Sequence, residues 1–317
     1  MSTSFSLRFA NRSQHSRMQK ENKMTRKQFI TISISILCCL TLMASSASAE
    51  MQGQVTVFKH EKATVHSYMA PAKGGFVNSQ IIETENGVVI VDAQFVRPFA
   101  KEVAAYVKGL KKPIKRVIVT HVHPDHWFGL EFYEDAPIYA LPEVSAMIDK
   151  LGDMFIKNKK SKMGDLITDK KVVPQHAVKE GAEVIDGVTF EFIKFGAAEA
   201  SVQLAVKLPE LKTLIAQDLV YNGVHLFLGQ NAFDSWIKTM KSLKNDKDIK
   251  TVLAGHGQPA DPSVYDKMIA YLEDAKKVFA SAKNGDEFKQ GLMKKYPDYK
   301  GPFLLDISIG MLYKKKK

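Results

Sequence analysis

Residues 120–129 contain the densest group of chemically active side chains in the sequence. Three histidines and one aspartate fall within six positions, as His121, His123, Asp125 and His126. Neutral imidazole and carboxylate groups are good ligands for zinc and related ions. The alternative is a polar loop that is rich in histidine but binds no metal. Four ligand-type residues in so short a stretch favour a metal centre.

The elements around this cluster explain how its side chains converge. Residues 117–120 form an apolar run that predicts a buried strand, so the cluster begins where a strand passes into a loop. In extended backbone, His121 and His123 place their rings on the same face. Pro124 ends the strand and turns the chain, which brings the next two side chains back towards the same point.

The stretch resembles the H-x-H-x-D-H signature of the metallo-β-lactamase superfamily, and the resemblance extends from about Gly53 to about Ala282. It implies an α/β fold of the αββα four-layer sandwich type, in which two β-sheets pack face to face with helices outside. Strands followed by a helix, twice over, agree with that architecture, whereas composition alone indicates only a mixture of α and β.

The resemblance also implies a ligand set divided between two metal sites. His121 and His123 belong to the first site, and Asp125 and His126 to the second. Two later residues match further ligands of the family: Asp218, after a predicted strand over residues 213–217, and His256, in a Gly-His-Gly turn. The alternative for Asp218 is an aspartate that ends a strand at a turn, and the alternative for His256 is a turn histidine with its ring at the surface.

The sequence departs from the family where a histidine normally follows the strand that ends at Phe195. Glu199 occupies that place in the stretch Gly196–Ser201. A carboxylate can complete a zinc site, because two histidines and one glutamate form a known catalytic arrangement. Glu199 is therefore predicted as the third ligand of the first site, and an exposed or salt-bridged loop glutamate is the alternative.

The extra carboxylate changes the charge of the predicted centre. Four neutral imidazoles and three carboxylates carry −3, so two divalent cations leave +1 rather than the +2 of the usual set. A less positive site lowers the pKa of bound water less, and harder oxygen ligands favour manganese or iron over zinc. One or two Zn²⁺ ions are the expected cofactor, and manganese and iron stay open as alternatives.

The first 49 residues resemble a secretory leader. A basic stretch over residues 17–27 precedes an apolar run over residues 29–43, and Ala47-Ser48-Ala49 supplies a small-residue cleavage pattern. Residues 1–49 are therefore predicted as a signal peptide and residues 50–317 as a single domain, located in the periplasm or secreted. A retained N-terminal anchor is the alternative, although the apolar run is short for a membrane span.

The charge and composition of the chain limit the classes of partner that it is expected to bind. The net charge of +11 falls to +5 without the seven Lys/Arg and one Asp/Glu of the leader. No nucleic-acid motif or aromatic interleaving accompanies the basic runs, so the expected partner is a small-molecule substrate, without nucleic acid and without stable membrane association after cleavage. Both cysteines, Cys38 and Cys39, lie in the leader, which excludes a thiol ligand or nucleophile in the rest of the chain.

Several other residues carry weaker expectations. Asp92 ends a predicted strand, and the resemblance implies that it buttresses the metal site, while a turn-starting aspartate is equally consistent. His225 is expected to line the substrate pocket, and residues 158–180 are predicted as a flexible flap. The candidate pocket walls are aromatic residues, each more often found in a core: Trp127, Phe128, Tyr221, Phe227 and Trp236.

The predicted function is a metal-dependent hydrolase that uses a metal-bound hydroxide on an ester, lactone, thioester or amide-type substrate. Asp125 and Asp218 are the predicted catalytic residues, because they can hold and orient the nucleophilic water. Two alternatives remain: an iron-dependent oxidoreductase of the same fold, and a degenerate non-catalytic metal-binding protein. The fold hosts many reactions and does not choose the substrate.

Overall fold

Two β-sheets and their flanking helices make up residues 51–314, the part of the chain that the computed structural model describes. The predicted leader, residues 1–49, lies outside the described residues. Within them, no helix is both long enough and apolar enough to cross a membrane.

The first sheet has seven strands in the order β1 to β7. Strands β1 to β4 pair antiparallel, and β4 to β7 pair parallel. The strands are β1 Gln54–Lys59, β2 Thr64–Met69, β3 Asn78–Glu83, β4 Val88–Val91, β5 Ile114–Val119, β6 Ile138–Ala140 and β7 His176–Ala177.

The second sheet has five strands in the order β12-β11-β10-β9-β8, of which only β11 and β12 pair parallel. Its strands are β8 Gly181–Ile185, β9 Val188–Phe195, β10 Gln203–Leu208, β11 Thr213–Asn222 and β12 Thr251–Gly257. The α-helices are α1 Arg97–Gly109, α2 Pro124–Trp127, α3 Pro142–Met163, α4 Phe233–Leu243, α5 Val264–Ser281, α6 Gly285–Lys295 and α7 Phe303–Leu312.

Two apolar cores hold the layers together. One contains Val117 and Val119 of β5, Phe99 of α1, and Phe190 of β9, so it joins the first sheet to its helices and to the second sheet. The other packs helices α4 to α7 on the far side of the second sheet, with Trp236 among its buried side chains. This arrangement confirms the predicted αββα sandwich.

Buried amides join the two sheets close to the site. Asn78 of β3 donates from Nδ2 to the carbonyl oxygens of Ala254 and Gly257 on β12, at 2.7 Å each. Gln80 donates to the side-chain oxygen of Gln217 at 3.3 Å. Because buried polar groups need partners, these contacts fix β12 and β11 against β3 and so fix the ligands that follow.

The structure corrects the expectation of a flexible flap over residues 158–180. Its first six residues belong to helix α3, which extends to Met163. The following segment, part of the predicted flap over residues 158–180, is anchored in the core by the fully buried side chains of Ile167 and Thr168.

Candidate metal centre

The histidine cluster lies at the carboxyl end of β5, as the apolar run predicts. His123 is the last extended residue, with φ −66° and ψ 138°, and α2 begins at Pro124. This one-turn helix returns the chain, so that Asp125 and His126 face the same point as His121. The rings of His121 and His126 lie 4.2 Å apart between centroids.

Asp218 and His256 reach the cluster from the neighbouring strands β11 and β12. Asp218 Oδ1 lies 3.2 Å from His126 Nε2, and Asp218 Oδ2 lies 3.4 Å from His256 Nε2. Asp125 Oδ2 is 3.3 Å from the same nitrogen of His256. The structure therefore brings together residues that are far apart in the sequence, as expected.

The local conformation of β11 differs from the sequence prediction. Asp218 does not end the strand, which continues to Asn222, but lies in an irregular stretch where the β11–β12 register shifts between Gln217 and Tyr221. A β-carbon on Gly255 would lie only 1.8 Å from Asp218 Oδ1, so the glycine makes room for this carboxylate. The irregularity turns Asp218 towards the cluster.

Glu199 also joins the cluster. Its side chain is 1 % exposed, with Oε1 2.8 Å from His123 Nδ1 and Oε2 3.5 Å from His121 Nε2. The carboxylate therefore lies beside the two histidines of the first predicted site, and a solvent-exposed loop position is excluded.

Two groups of ligand-type atoms account for all seven predicted residues. Within each group the atoms lie within 4.8 Å of one another. The groups are His121, His123 and Glu199, and Asp125, His126, Asp218 and His256.

Hydrogen bonds at Nδ1 turn the other nitrogen of three histidines inward. His126 Nδ1 lies 2.8 Å from Asp92 Oδ2, and His256 Nδ1 lies 2.8 Å from the carbonyl oxygen of Gly75. These acceptors require a proton on Nδ1, so in the neutral ring Nε2 carries a free lone pair. His121 Nδ1 has a similar contact with Thr120 Oγ1 at 3.0 Å.

The inward-facing atoms have no hydrogen-bond partner although they are buried. They come from both groups of residues, and such unsatisfied buried atoms are costly unless something binds them. They are His121 Nε2, His126 Nε2, His256 Nε2, Glu199 Oε2 and Asp218 Oδ1. Nitrogen lone pairs and carboxylate oxygens aimed at one point fit a divalent cation.

The electrostatics of the cluster also favour positive charge. Burial raises the pKa of Glu199 to about 7. Burial opposes protonation of His256, but the carboxylates, Asp218 first, raise its pKa to about 10. The same balance raises the pKa of His126 well above its usual value, whereas burial holds that of His121 well below it. Protons on His126 and His256 thus compensate the negative charge of the carboxylates, and a bound cation would displace these protons.

Asp92 supports the cluster from behind. This fully buried carboxylate accepts hydrogen bonds from Thr120 N at 2.8 Å, Thr120 Oγ1 at 2.7 Å and Gln217 Nε2 at 2.5 Å, besides its contact with His126. Of the two sequence readings, the geometry agrees with the buttressing one. The contribution of Gln217 was missed, because the sequence shows only a glutamine where the family has glycine.

Two of the five candidate aromatic walls adjoin the ligand-type residues. Tyr221 donates its hydroxyl to Asp218 Oδ2 at 2.7 Å and stacks on His256 with a centroid distance of 4.7 Å. Phe227 packs edge-on against His123 at 5.1 Å.

The other aromatic candidates belong to the cores. Trp127 and Phe128 are buried, and Trp236 Nε1 donates to the carbonyl oxygen of Leu219. His225 corrects a further expectation, because its Nδ1 contacts the hydroxyl of Tyr271 at 2.8 Å in a buried aromatic group and takes no part in the ligand-type groups.

Comparison with known proteins identifies the family of this chain. The family model of the metallo-beta-lactamase superfamily matches residues 72–256. A type 2 metallo-beta-lactamase of Bacillus cereus is 25% identical over 237 residues, covering 68% of this chain and 86% of the relative. A linear primary-alkylsulfatase of Pseudomonas sp is 26% identical over 183 residues, covering 47% of this chain but only 27% of the relative.

Solved structures show the same fold. A metallo-beta-lactamase from Pontibacter korlensis superposes with a TM-score of 0.55 at 22% identity, covering 70% of this chain and 100% of the other. FIM-1 from Pseudomonas aeruginosa, in its mono-zinc form, gives 0.54 at 19% identity, covering 71% and 97%. The chain belongs to the metallo-beta-lactamase superfamily, since the family model covers more than half of its length.

Proposed function

We propose that this protein is a metal-dependent hydrolase acting on an ester, lactone, thioester or amide-type bond. The observation that carries the proposal is the set of five unsatisfied buried atoms that converge between the two sheets. The relatives are named as lactamases and an alkylsulfatase, which favours hydrolysis over iron-dependent oxidation.

The proposed ligands form two sets. His121, His123 and Glu199 hold one cation, and Asp125, His126, Asp218 and His256 hold the other. Nitrogen and carboxylate ligands without sulfur are compatible with Zn²⁺, which is the proposed cofactor. The third carboxylate, Glu199, reduces the positive charge of the first set and leaves manganese or iron as competitors for it.

A bound cation supplies Lewis-acid activation of water and of the scissile bond. The protein side chains position the reacting groups. Tyr221 donates to Asp218 Oδ2 and so fixes this carboxylate, while Oδ1 has no hydrogen-bond partner and is available to a cation. Asp125 has a side chain that is 23 % exposed, so its carboxylate would hold and orient the attacking water at the solvent side of the cluster.

The exposed members of the cluster define where a substrate enters. His123 and Asp125 have side chains that are 17 % and 23 % exposed, while the other proposed ligands are 1 % exposed or less. The substrate therefore approaches over these two residues. The largely buried Phe227 packs edge-on against His123 and supports it there.

The test combines metal analysis with a substrate panel. Protein purified in the presence of zinc is analysed for bound metal and assayed on esters, lactones, thioesters and β-lactams. Asp218→Asn is expected to lose metal and activity together. Asp234→Asn is the matched control, because this aspartate is exposed and paired only with Lys276. Failure of the wild-type protein to retain metal, or full activity of Asp218→Asn, contradicts the proposal.

Location is a separate proposal that rests on the leader-like sequence. We infer export and cleavage after Ala49, which leaves a chain without cysteine. The N-terminal sequence of protein recovered from the periplasm or the medium tests it, and an intact N-terminus in the membrane fraction contradicts it.

A further inference from the structure

The C-terminal helix α7 carries an exposed apolar stripe. Phe303, Ile307 and Met311 are 40%, 39% and 46% exposed. Their spacing of four residues places them on one face of the helix, while Leu304 and Leu312 pack into the core on the other. Eight residues of helical rise make this stripe about 12 Å long.

One end of the stripe adjoins the proposed entrance. A β-carbon on Gly229 would lie 2.4 Å from Phe227 Cζ and 2.6 Å from the sulfur of Met311, so both side chains meet over this glycine. Phe227 in turn packs against His123. Phe227 is only 7% exposed, so it connects His123 to Met311 by buried apolar packing.

The other end of the stripe adjoins the loop that holds His256. Phe303 Cζ lies 3.4 Å from the position of a β-carbon on Gly75, and the carbonyl oxygen of Gly75 accepts the hydrogen bond from His256 Nδ1. The helix itself is tied to the loop after β11, because Ser308 Oγ accepts from Leu228 N at 2.8 Å. The stripe is thus fixed beside the cluster.

The stripe offers no charge to a ligand. Asp306 is the one ionisable residue of α7, and it pairs with Lys289 at 2.6 Å. An uncharged apolar stripe fixed next to a proposed site is suited to bind an apolar part of its ligand.

We propose that α7 binds the saturated alkyl or acyl chain of the substrate. The chain lies along Phe303, Ile307 and Met311, and the hydrolysable bond lies at the cation cluster, reached past Phe227. The inference rests on the proposed hydrolase function and specifies its substrate class as a medium-chain aliphatic ester, thioester or lactone.

Straight-chain hydroxamates from acetohydroxamate to decanohydroxamate provide a test that does not need turnover. Their head group chelates metal ions, so calorimetric titration of the zinc-loaded protein reports the contribution of the chain. Affinity is expected to rise by about twofold per methylene. In free energy this is half of the value for a fully buried methylene, because one side of the chain stays in water. Ile307→Ser and Met311→Ser are expected to flatten this dependence while preserving acetohydroxamate binding.

Val184→Ser is the matched control, because Val184 is an exposed apolar residue (67%) on the edge strand β8. It is expected to leave the chain-length dependence unchanged. Equal affinity along the wild-type series, or equal loss in the control, overturns the inference but leaves the hydrolase proposal intact. Chain-length-dependent binding without hydrolysis of any aliphatic ester supports the stripe and contradicts the hydrolase proposal alone. If hydroxamate affinity does not depend on chain length, and the stripe variants instead lose binding to phosphatidylglycerol vesicles, the stripe binds a membrane surface and the inference is overturned.

Discussion

Replacing Asp92 by asparagine tests how the cluster is held. The backbone at Asp92 has φ +63°, a left-handed conformation that asparagine tolerates, so the substitution changes charge and hydrogen bonding with little added strain. The carboxylate accepts one hydrogen bond at Oδ1, from Thr120 N, and three at Oδ2, from Thr120 Oγ1, His126 and Gln217.

The magnitude follows from this count. In its better orientation the new amide keeps its oxygen towards the three donors and turns its NH₂ towards Thr120 N–H. This leaves two buried donor groups unsatisfied, the Thr120 N–H and the NH₂ itself, at a cost of about 1–3 kcal/mol each in unfolding free energy. His126 also exchanges a carboxylate for a neutral acceptor. Loss of such a partner typically weakens metal binding by about 10- to 100-fold.

Chelator competition measures the metal affinity, and chemical denaturation of the metal-free protein measures the stability. Asp186→Asn is the matched control: Asp186 also has a positive φ, of +48°, and accepts from Thr84 Oγ1, Asn86 N and Asn86 Nδ2, away from the cluster. It is expected to leave metal affinity unchanged. Unchanged affinity in Asp92→Asn, or equal loss in both variants, refutes the reasoning.

Three further outcomes are expected. Glu199→Gln is expected to lose the cation of the first set and to keep the second, and Glu199→His is expected to tighten zinc binding in the first set. Two tightly held zincs in both the wild type and Glu199→His, measured by elemental analysis, contradict the expectation that the extra carboxylate weakens the first set. Tyr221→Phe is expected to weaken metal binding by about tenfold, because it loses the hydrogen bond to Asp218. Tyr296→Phe loses a comparable hydrogen bond to Asp274 and is expected to bind metal normally. Equal metal-titration curves for the two variants refute this prediction. Metal affinity is expected to rise from about pH 6 to about pH 9. The pKa of Glu199 is about 7 and that of His256 is about 10, and both groups must lose their protons when the metal binds. A metal affinity that does not change with pH contradicts this prediction.

The sequence predicts the local part of the site well. The histidine cluster is encoded in six consecutive residues, and Pro124 alone explains why the chain turns back. The contact between Asp218 and His256 was expected from the family resemblance alone, and the structure brings the two together on the parallel strands β11 and β12. The resemblance to a known family added the expectation that Glu199 joins them.

Contacts that depend on exact register were not predictable. Tyr221 reaches Asp218 because β11 shifts register between Gln217 and Tyr221, and no local pattern marks that shift. The bond from Gln217 to Asp92 requires both sheets to be in place. Strand β2 was not distinguished from its neighbours, because four of its six residues are buried in succession and show no alternation.

His225 shows the limit of arguing from chain distance. It follows Asp218 by seven residues, which suggested a place in the pocket. The chain instead enters a buried aromatic group, where His225 contacts Tyr271 and packs near Tyr299. Burial lowers its pKa to about 4, as expected for a neutral histidine in a core.

Anomalous diffraction from crystals of the zinc-loaded protein tests most directly whether the seven side chains share cations. Two peaks are expected, one at bonding distance of about 2.0–2.2 Å from Glu199, His121 and His123, and one at the same range from Asp218, His126, His256 and Asp125. A map without a peak between these side chains, in protein that has taken up zinc, contradicts the proposed centre.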